Sequence, residues 1–408
     1  MSRVNRHGQQ EWSRRQFLAR AIAVGVGDAV VGAVGISPAA AKKGNAVDDF
    51  LRMELKAGAF PGAAVVATRG GKPLHERFLG TYCGRHRRAN ALDSSVVHMF
   101  FSISKLITST VVVMAQQDGG FEYDDPVWKH IPEYRGGGKD ATTVRHLLTH
   151  AAGVPNVPLA SVETEAKWKA AVRTLCAAKV EWPPGSKTQY HGLTGHFLAA
   201  EVVRRLSGGQ PWAEICRQRL FEPLGATTLS FQLPGEGEAF ALTPRPDKLP
   251  SRYGAIYATA VGHPAGACVG TVGDLIKVLQ LHLNGGRWGE RVLIKPEALA
   301  EMHRVQYARE ICAAVKAGKP PAHGSWGLGI LIKGDGASAG GHAWFGIRDL
   351  TGPRVFGHAG FDTVIAVADP DTQVAMVFLT TDSPASSEKT IALRNGVSER
   401  VFELAARG

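Results

Sequence analysis

Strand-like and helix-like hydrophobic patterns occupy different stretches of the chain. The β-branched run Ala63-Ala64-Val65-Val66-Ala67 and a second apolar segment at 73–79 flank Arg69-Gly70-Gly71-Lys72, which predicts an N-terminal hairpin. From 102 onward helical signals take over. The segment 102–117 carries Leu106, Val113 and Met114 and stops at Gly119. A helix starts at 142–148. Another spans 194–206, where Leu198, Val202 and Leu206 recur every four residues before Gly208-Gly209. Further helices are predicted at 211–221 and at 270–283, the latter stopping at Gly285. Strand character returns at 364–368 and 374–379, which flank the turn Asp369-Pro370-Asp371-Thr372, and a last helix covers 387–404. Three Gly- and Pro-rich stretches, 233–254, 316–325 and 334–343, are candidate lids or rims of a cleft. No repeat of 20–50 residues is visible.

Each hairpin alone buries too little apolar surface, so the strands at the two ends must share one sheet. The expected class is α+β: an antiparallel sheet flanked by helices, with a mainly helical inserted domain. The sheet domain would comprise 42–100 plus 325–408, and the helical domain 101–324.

Composition changes this picture mainly at the N-terminus. With 44% hydrophobic and 20% charged residues the chain reads as globular. Ser13-Arg14-Arg15-Gln16-Phe17-Leu18 reads as a twin-arginine signal. A moderately apolar stretch at 21–36 follows, and Ala39-Ala40-Ala41 fits a cleavage site with Lys42 as the mature start. The alternative, a membrane helix, is countered by the shortness of the stretch and by Gly25, Gly27, Asp28, Gly32 and Gly35 within it. The expectation is recognition of residues 1–41 by the twin-arginine export machinery, a periplasmic or extracellular location, and no integral membrane segment after signal removal. Losing five arginines and two acids with that segment lowers the formal charge from +11 to +8. The densest basic run, Arg85-His86-Arg87-Arg88, has no interleaved aromatics, which argues against nucleic acid as a partner. Cys83, Cys176, Cys216, Cys268 and Cys312 are widely spaced and odd in number, so no disulfide framework is expected. Neither a metal-ligand spacing nor a phosphate-cradling loop is present, so no cofactor and no metal are expected.

The chemistry concentrates in Ser102-Ile103-Ser104-Lys105. On a helix, i and i+3 share a face, so Ser102 and Lys105 can touch while Ser104 points away. A serine needs a proton acceptor to become a nucleophile, and a lysine serves once burial or nearby positive charge makes it neutral.

Three further segments complete a pattern. They are the run Arg145-His146-Leu147-Leu148-Thr149-His150-Ala151-Ala152-Gly153, the turn Pro184-Gly185-Ser186-Lys187-Thr188-Gln189-Tyr190-His191, and Phe356-Gly357-His358-Ala359-Gly360-Phe361 at the opening of a strand. Together with Ser102 and Lys105 they resemble, in the same order, the serine beta-lactamase and penicillin-binding-protein superfamily. The match is closest to its class C beta-lactamase, D-aminopeptidase and family VIII carboxylesterase branch, and it covers nearly the whole mature chain. The resemblance implies an enzyme with Ser102 as acylated nucleophile, Lys105 and Tyr190 as its catalytic partners, and an active site in the cleft between the two domains. Whether Lys105 or Tyr190 is the base stays open, since coupled groups share their titration. His358, Gly360 and Phe361 would line the cleft, and the N–H groups of Ser102 and Phe361 would form the oxyanion hole. His191 either faces the cleft or buttresses Tyr190. His150 reads as a structural hydrogen-bonder, and His263 and Cys268 as loop residues near the pocket.

Two positions depart from the family pattern. Gly192 stands where an asparagine often contacts an acylamino side chain, and His358 stands where a lysine often attracts a substrate carboxylate. Both departures favour a small-molecule carboxylic ester over a beta-lactam or a D-amino-acid wall peptide. The alternative from another class is a non-catalytic binder of wall fragments.

Overall fold

The structure, a computed structural model, describes residues 45–84, 88–157, 161–241, 262–306, 325–334, 351–361 and 363–407. The expected signal segment, Arg85 to Arg87, Cys312 and most of the three candidate loops lie outside these residues.

The sheet is α+β in layout, as expected. Its strands are β1 (Gly62–Arg69), β2 (Lys72–Cys83), β3 (Ala89–Ala91), β4 (Ser325–Trp326), β5 (Leu331–Ile332), β6 (Phe356–Gly360), β7 (Val364–Asp369) and β8 (Val374–Thr380). They run antiparallel in the order β3-β2-β1-β8-β7-β6-β5-β4. The predicted hairpin is β1–β2, turning at Gly70 and Gly71, whose φ values of 55° and 75° suit glycine. The two ends of the chain meet where β1 pairs with β8, Ala63 opposite Thr380 and Arg69 opposite Val374. β1, β7 and β8 are buried on both faces apart from their ends, so they show continuous apolar runs rather than alternation.

The main helices are α1 (Ala46–Lys56), α2 (Ser104–Gln117), α3 (Val144–Leu148), α4 (Glu165–Ala177), α5 (Thr194–Leu206), α6 (Val272–Leu283), α7 (Pro296–His303) and α8 (Ser387–Arg407). One face of the sheet packs with α2, α5 and α6 into the larger core, which includes Leu106, Val113, Phe197 and Val377. The other face, with Val65, Ile365 and Met376, is covered by α1 and α8 through Leu51, Leu393, Val397 and Val401.

The observed α5 has the predicted bounds. The predicted 211–221 helix is three short pieces, Trp212–Cys216, a π-turn at Arg217–Phe221 and Glu222–Leu224, ended by Gly225 at φ 61°. The predicted helix at 102–117 also starts differently. Phe101–Ile103 form a tighter 3₁₀ turn and the α-helix proper begins at Ser104. Phe101 at φ 48° forces that change, because a left-handed residue cannot lie inside a regular helix. In a 3₁₀ turn i and i+3 eclipse, so the Ser102–Lys105 contact survives. Cys83, Cys176, Cys216 and Cys268 are free thiols, the last two buried. Among the described residues no helix is long and apolar enough to cross a membrane.

Candidate active site

The Phe101–Ile103 turn leaves Ser102 half-buried while Lys105, one turn on, is fully buried. Lys105 Nζ lies 3.0 Å from Ser102 Oγ and donates to the carbonyl of Ala265 at 2.9 Å. Tyr190 arrives from the loop before α5 and donates its hydroxyl to Ser102 Oγ at 2.7 Å. Lys105 Nζ sits 5.0 Å from the centre of the Tyr190 ring. The three groups therefore meet at one oxygen. Ser104 points away, as expected, and accepts the Cys268 N–H at 2.9 Å.

Burial sets the protonation states. It lowers the Lys105 ammonium to about 7. Burial also raises the Tyr190 phenol above its usual value, a hydrogen bond to Ser102 opposing the rise. A neutral amine beside a neutral phenol satisfies the network. Tyr190 donates to Oγ, and Lys105 can accept the serine proton.

Histidines surround this centre. His150, at φ 58°, lies 4.8 Å from the Tyr190 ring and 4.5 Å from Trp326, ring centre to ring centre. Its Nδ1 accepts the backbone N–H of His191 at 3.3 Å. His196 packs 5.3 Å from His150, and His263 caps its own loop by accepting the Ala265 N–H at 3.1 Å. Burial holds His150 and His196 well below the usual imidazole value and His263 at about 3. These rings are thus uncharged near neutrality and add no positive charge around Lys105. His191 stacks on Trp182 at 5.1 Å, with its Nε2 3.7 Å from a Glu181 carboxylate oxygen. It supports the His150–Tyr190 layer rather than touching Ser102.

The opposite wall is β6. His358, fully buried, contacts the carbonyl of Ala359 through Nδ1 at 2.7 Å, and its ring lies 6.3 Å from Tyr190. At Gly360 a Cβ would collide with the carbonyl oxygen of Phe100, so only glycine lets β6 approach the serine turn. Phe361 follows at φ 45°, its ring 5.7 Å from that of Phe101. Among the described non-glycine residues positive φ occurs at Phe101, His150, Phe361 and Gln373, and three of these four surround Ser102. Strain of this kind persists only where neighbours over-determine it.

Three participants carried no sequence signal that was read. Trp326 on β4 stacks on Tyr190 at 6.0 Å and 15°. The Ala265 contact is a backbone carbonyl, which any residue type supplies. Asn156, exposed on the loop after His150, stands beside Gly192, where a Cβ would meet its Oδ1 at 3.5 Å.

A sequence model of the beta-lactamase family matches residues 47–397. The chain belongs to the beta-lactamase family. Membership and site geometry together make it a serine hydrolase of that superfamily. This beta-lactamase-family chain is 27% identical over 390 residues to esterase EstB of Burkholderia gladioli, a match covering 83% of this chain and 91% of that protein. It is 25% identical over 364 residues to the D-alanyl-D-alanine-carboxypeptidase/endopeptidase AmpH of Escherichia coli K12, covering 84% of each. A solved family VIII carboxylesterase superposes with a TM-score of 0.68 at 23% identity, covering 90% of this chain and 99% of that one. A penicillin-binding-protein homologue from Caulobacter crescentus superposes with a TM-score of 0.69 at 23% identity, covering 87% and 96%.

Proposed function

We propose that the chain is an exported hydrolase that forms an acyl-enzyme at Ser102 and cleaves carboxylic esters of small or medium acyl groups. The observation that carries this reading is the meeting of a neutral-poised lysine and a protonated phenol at one serine oxygen. Export rests on the Arg14-Arg15 segment and its flanking pattern. The site is assigned to the cleft between a sheet domain, 42–100 plus 325–408, and a helical domain, 101–324.

Neutral Lys105 takes the Ser102 proton as Oγ attacks the ester carbonyl. The oxyanion is held by the N–H groups of Ser102 and Phe361, with Gly360 allowing the substrate close to β6 and His358 closing the wall behind it. The C–O bond to the alcohol then breaks. Tyr190 donates its proton to the departing alkoxide, and Lys105, now an ammonium, restores the proton to Tyr190. Water repeats the sequence in reverse and frees the acid. A buried phenol is a poor acid. An alkoxide tolerates this, because it departs without prior protonation, whereas an amide nitrogen must be protonated to leave. That difference, together with Gly192 and His358, favours esters.

The deciding experiment uses Ser102→Ala on a chromogenic short-chain ester, with intact-mass measurement of the wild type during turnover. Activity is expected to fall by roughly a thousandfold or more, with a one-acyl adduct only on the wild type. A Ser102→Ala enzyme of full activity removes the proposal.

A second reading, action on D-amino-acid wall peptides or beta-lactams, is favoured by Asn156. Its carboxamide supplies, from another loop, an amide beside Gly192 where an acylamino side chain would be contacted.

A further inference from the structure

The turn from β6 to β7 is built against local preference. Thr363 N–H closes back on the Gly360 carbonyl at 3.3 Å, and Gly360 pairs with Val364, so the reversal is tight. Tight hairpin corners with positive φ select glycine, asparagine or aspartate. Here the corner is Phe361, at φ 45°. A bulky residue holds that conformation only if something outside the turn imposes it.

The outside constraint comes from α8. Arg394 is 5% exposed, buried beneath the turn. One terminal nitrogen donates to the Phe361 carbonyl at 2.8 Å and reaches the Val364 carbonyl at 3.4 Å. That single nitrogen thus reaches both sides of the reversal, and the planarity of the guanidinium fixes direction as well as distance. From the other side, the Phe361 ring rests against Phe101, the residue before the nucleophile.

We propose that Arg394 is a positioning residue for the oxyanion hole: by clamping the Phe361 and Val364 carbonyls it holds Phe361 in its left-handed conformation, so that the Phe361 N–H faces the carbonyl oxygen of the acyl group on Ser102. This rests on the acyl-enzyme reading above. Arg394 touches no substrate. Its effect is on the intermediate, where negative charge gathers on the carbonyl oxygen, and not on the ground-state ester. It also explains a buried cation on a helix that otherwise presents Leu393, Val397 and Val401 to the sheet.

The test is a double-mutant cycle between Arg394→Gln and Phe361→Gly, with Arg394→Lys as the conservative variant. The readouts are kcat and KM on a chromogenic short-chain ester, affinity for a boronic acid whose serine adduct mimics the tetrahedral intermediate, and thermal melting. Arg394→Gln is expected to lower kcat roughly ten- to a hundredfold with KM little changed, and to weaken the boronate in parallel. Arg394→Lys recovers part of the loss. In the Phe361→Gly background, where glycine adopts positive φ unaided, the same Arg394→Gln change is expected to cost no more than about threefold. Unchanged kcat and boronate affinity per folded Arg394→Gln molecule overturns the inference, as does an equal loss in both backgrounds. Either result in an enzyme that still requires Ser102 sinks this inference alone. Full activity of Ser102→Ala sinks the reading beneath it.

Discussion

Helices α2 and α5 pack together, and each buries a cation, but they neutralise it in opposite ways. On α5, Arg204 is 5% exposed and answered by carboxylates: Glu201 at 3.0 Å and Glu165 at 2.5 Å. Glu201 also accepts from Trp168 at 2.7 Å and from Arg205 at 2.7 Å. On α2, Lys105 is fully buried, and among the described residues no carboxylate lies within ion-pair reach of it. Its partners are a hydroxyl, a backbone carbonyl and an aromatic face. The paired arginine keeps its charge and ties loops together. The lysine, denied a counter-ion, gives up its proton near pH 7, which is what the proposed base requires.

The largest test of that contrast is Lys105→Met. It is expected to lower ester turnover by a thousandfold or so while making the protein more stable by about 1–4 kcal/mol, read by denaturant or thermal unfolding. The pH dependence follows from the same shift. Burial lowers the folded-state value of Lys105 from its usual 10.5 to about 7. Between these two values the unfolded chain holds a proton that the folded chain lacks, so this group's contribution to stability rises with pH across that window. Below pH 7 its full penalty, about 5 kcal/mol, is in place. In Lys105→Met that slope should vanish. The wild-type kcat/KM should climb with pH and level off above about 7, and a flat profile across pH 5–8 would contradict a lysine base.

A middle-sized effect is expected on the other helix. Glu201→Gln removes the shared acid and leaves Arg204 poorly answered. It should cost about 3 kcal/mol in chemical denaturation, with the turnover of the folded fraction unchanged. A loss of turnover larger than the loss of folded enzyme would mean that the two helices do not divide the labour this way. The smallest effect concerns substrate choice. Asn156→Ala should leave simple esters within about twofold and slow acylamino substrates by roughly five- to tenfold, one neutral hydrogen bond's worth. Equal effects on both classes would remove the second reading.

The regions differ also in how far the sequence exposes them. The ion network is written in i, i+3 and i, i+4 spacings on one helix, Glu201 with Arg204 and Arg205. The bounds of α5 follow from the period of Leu198, Val202 and Leu206, and those of β7 and β8 lie within a residue of the predicted runs. At the site, residue type and spacing mark Ser102 and Lys105, the resemblance to the family adds Tyr190, and the structure brings the three together. Helices α1, with Asn45 as N-cap and Val47, Phe50 and Leu51 on its inner face, and α4, with Thr164 as N-cap and Trp168, Ala171, Val172 and Leu175 at helical spacing, carry legible signals that the reading above passes over. What else escaped has physical reasons. Strands β4 and β5 have two residues each, too few for a period to show. The 3₁₀ start at Phe101, the Ala265 carbonyl and the approach of Asn156 to Gly192 are tertiary events with no local pattern.

The pairing of β1 with β8 has a consequence for how the protein comes into being. Residue 63 finds its neighbour at residue 380, so the centre of the sheet stays open while the ribosome makes the helices in between. The inner edge of the first hairpin must wait, unpaired, for nearly the whole length of synthesis, and such waiting edges are where nascent chains stick to one another. Truncation anywhere before the final hairpin should therefore yield aggregates rather than a smaller folded protein, and the step that docks the last two strands should set the pace of refolding.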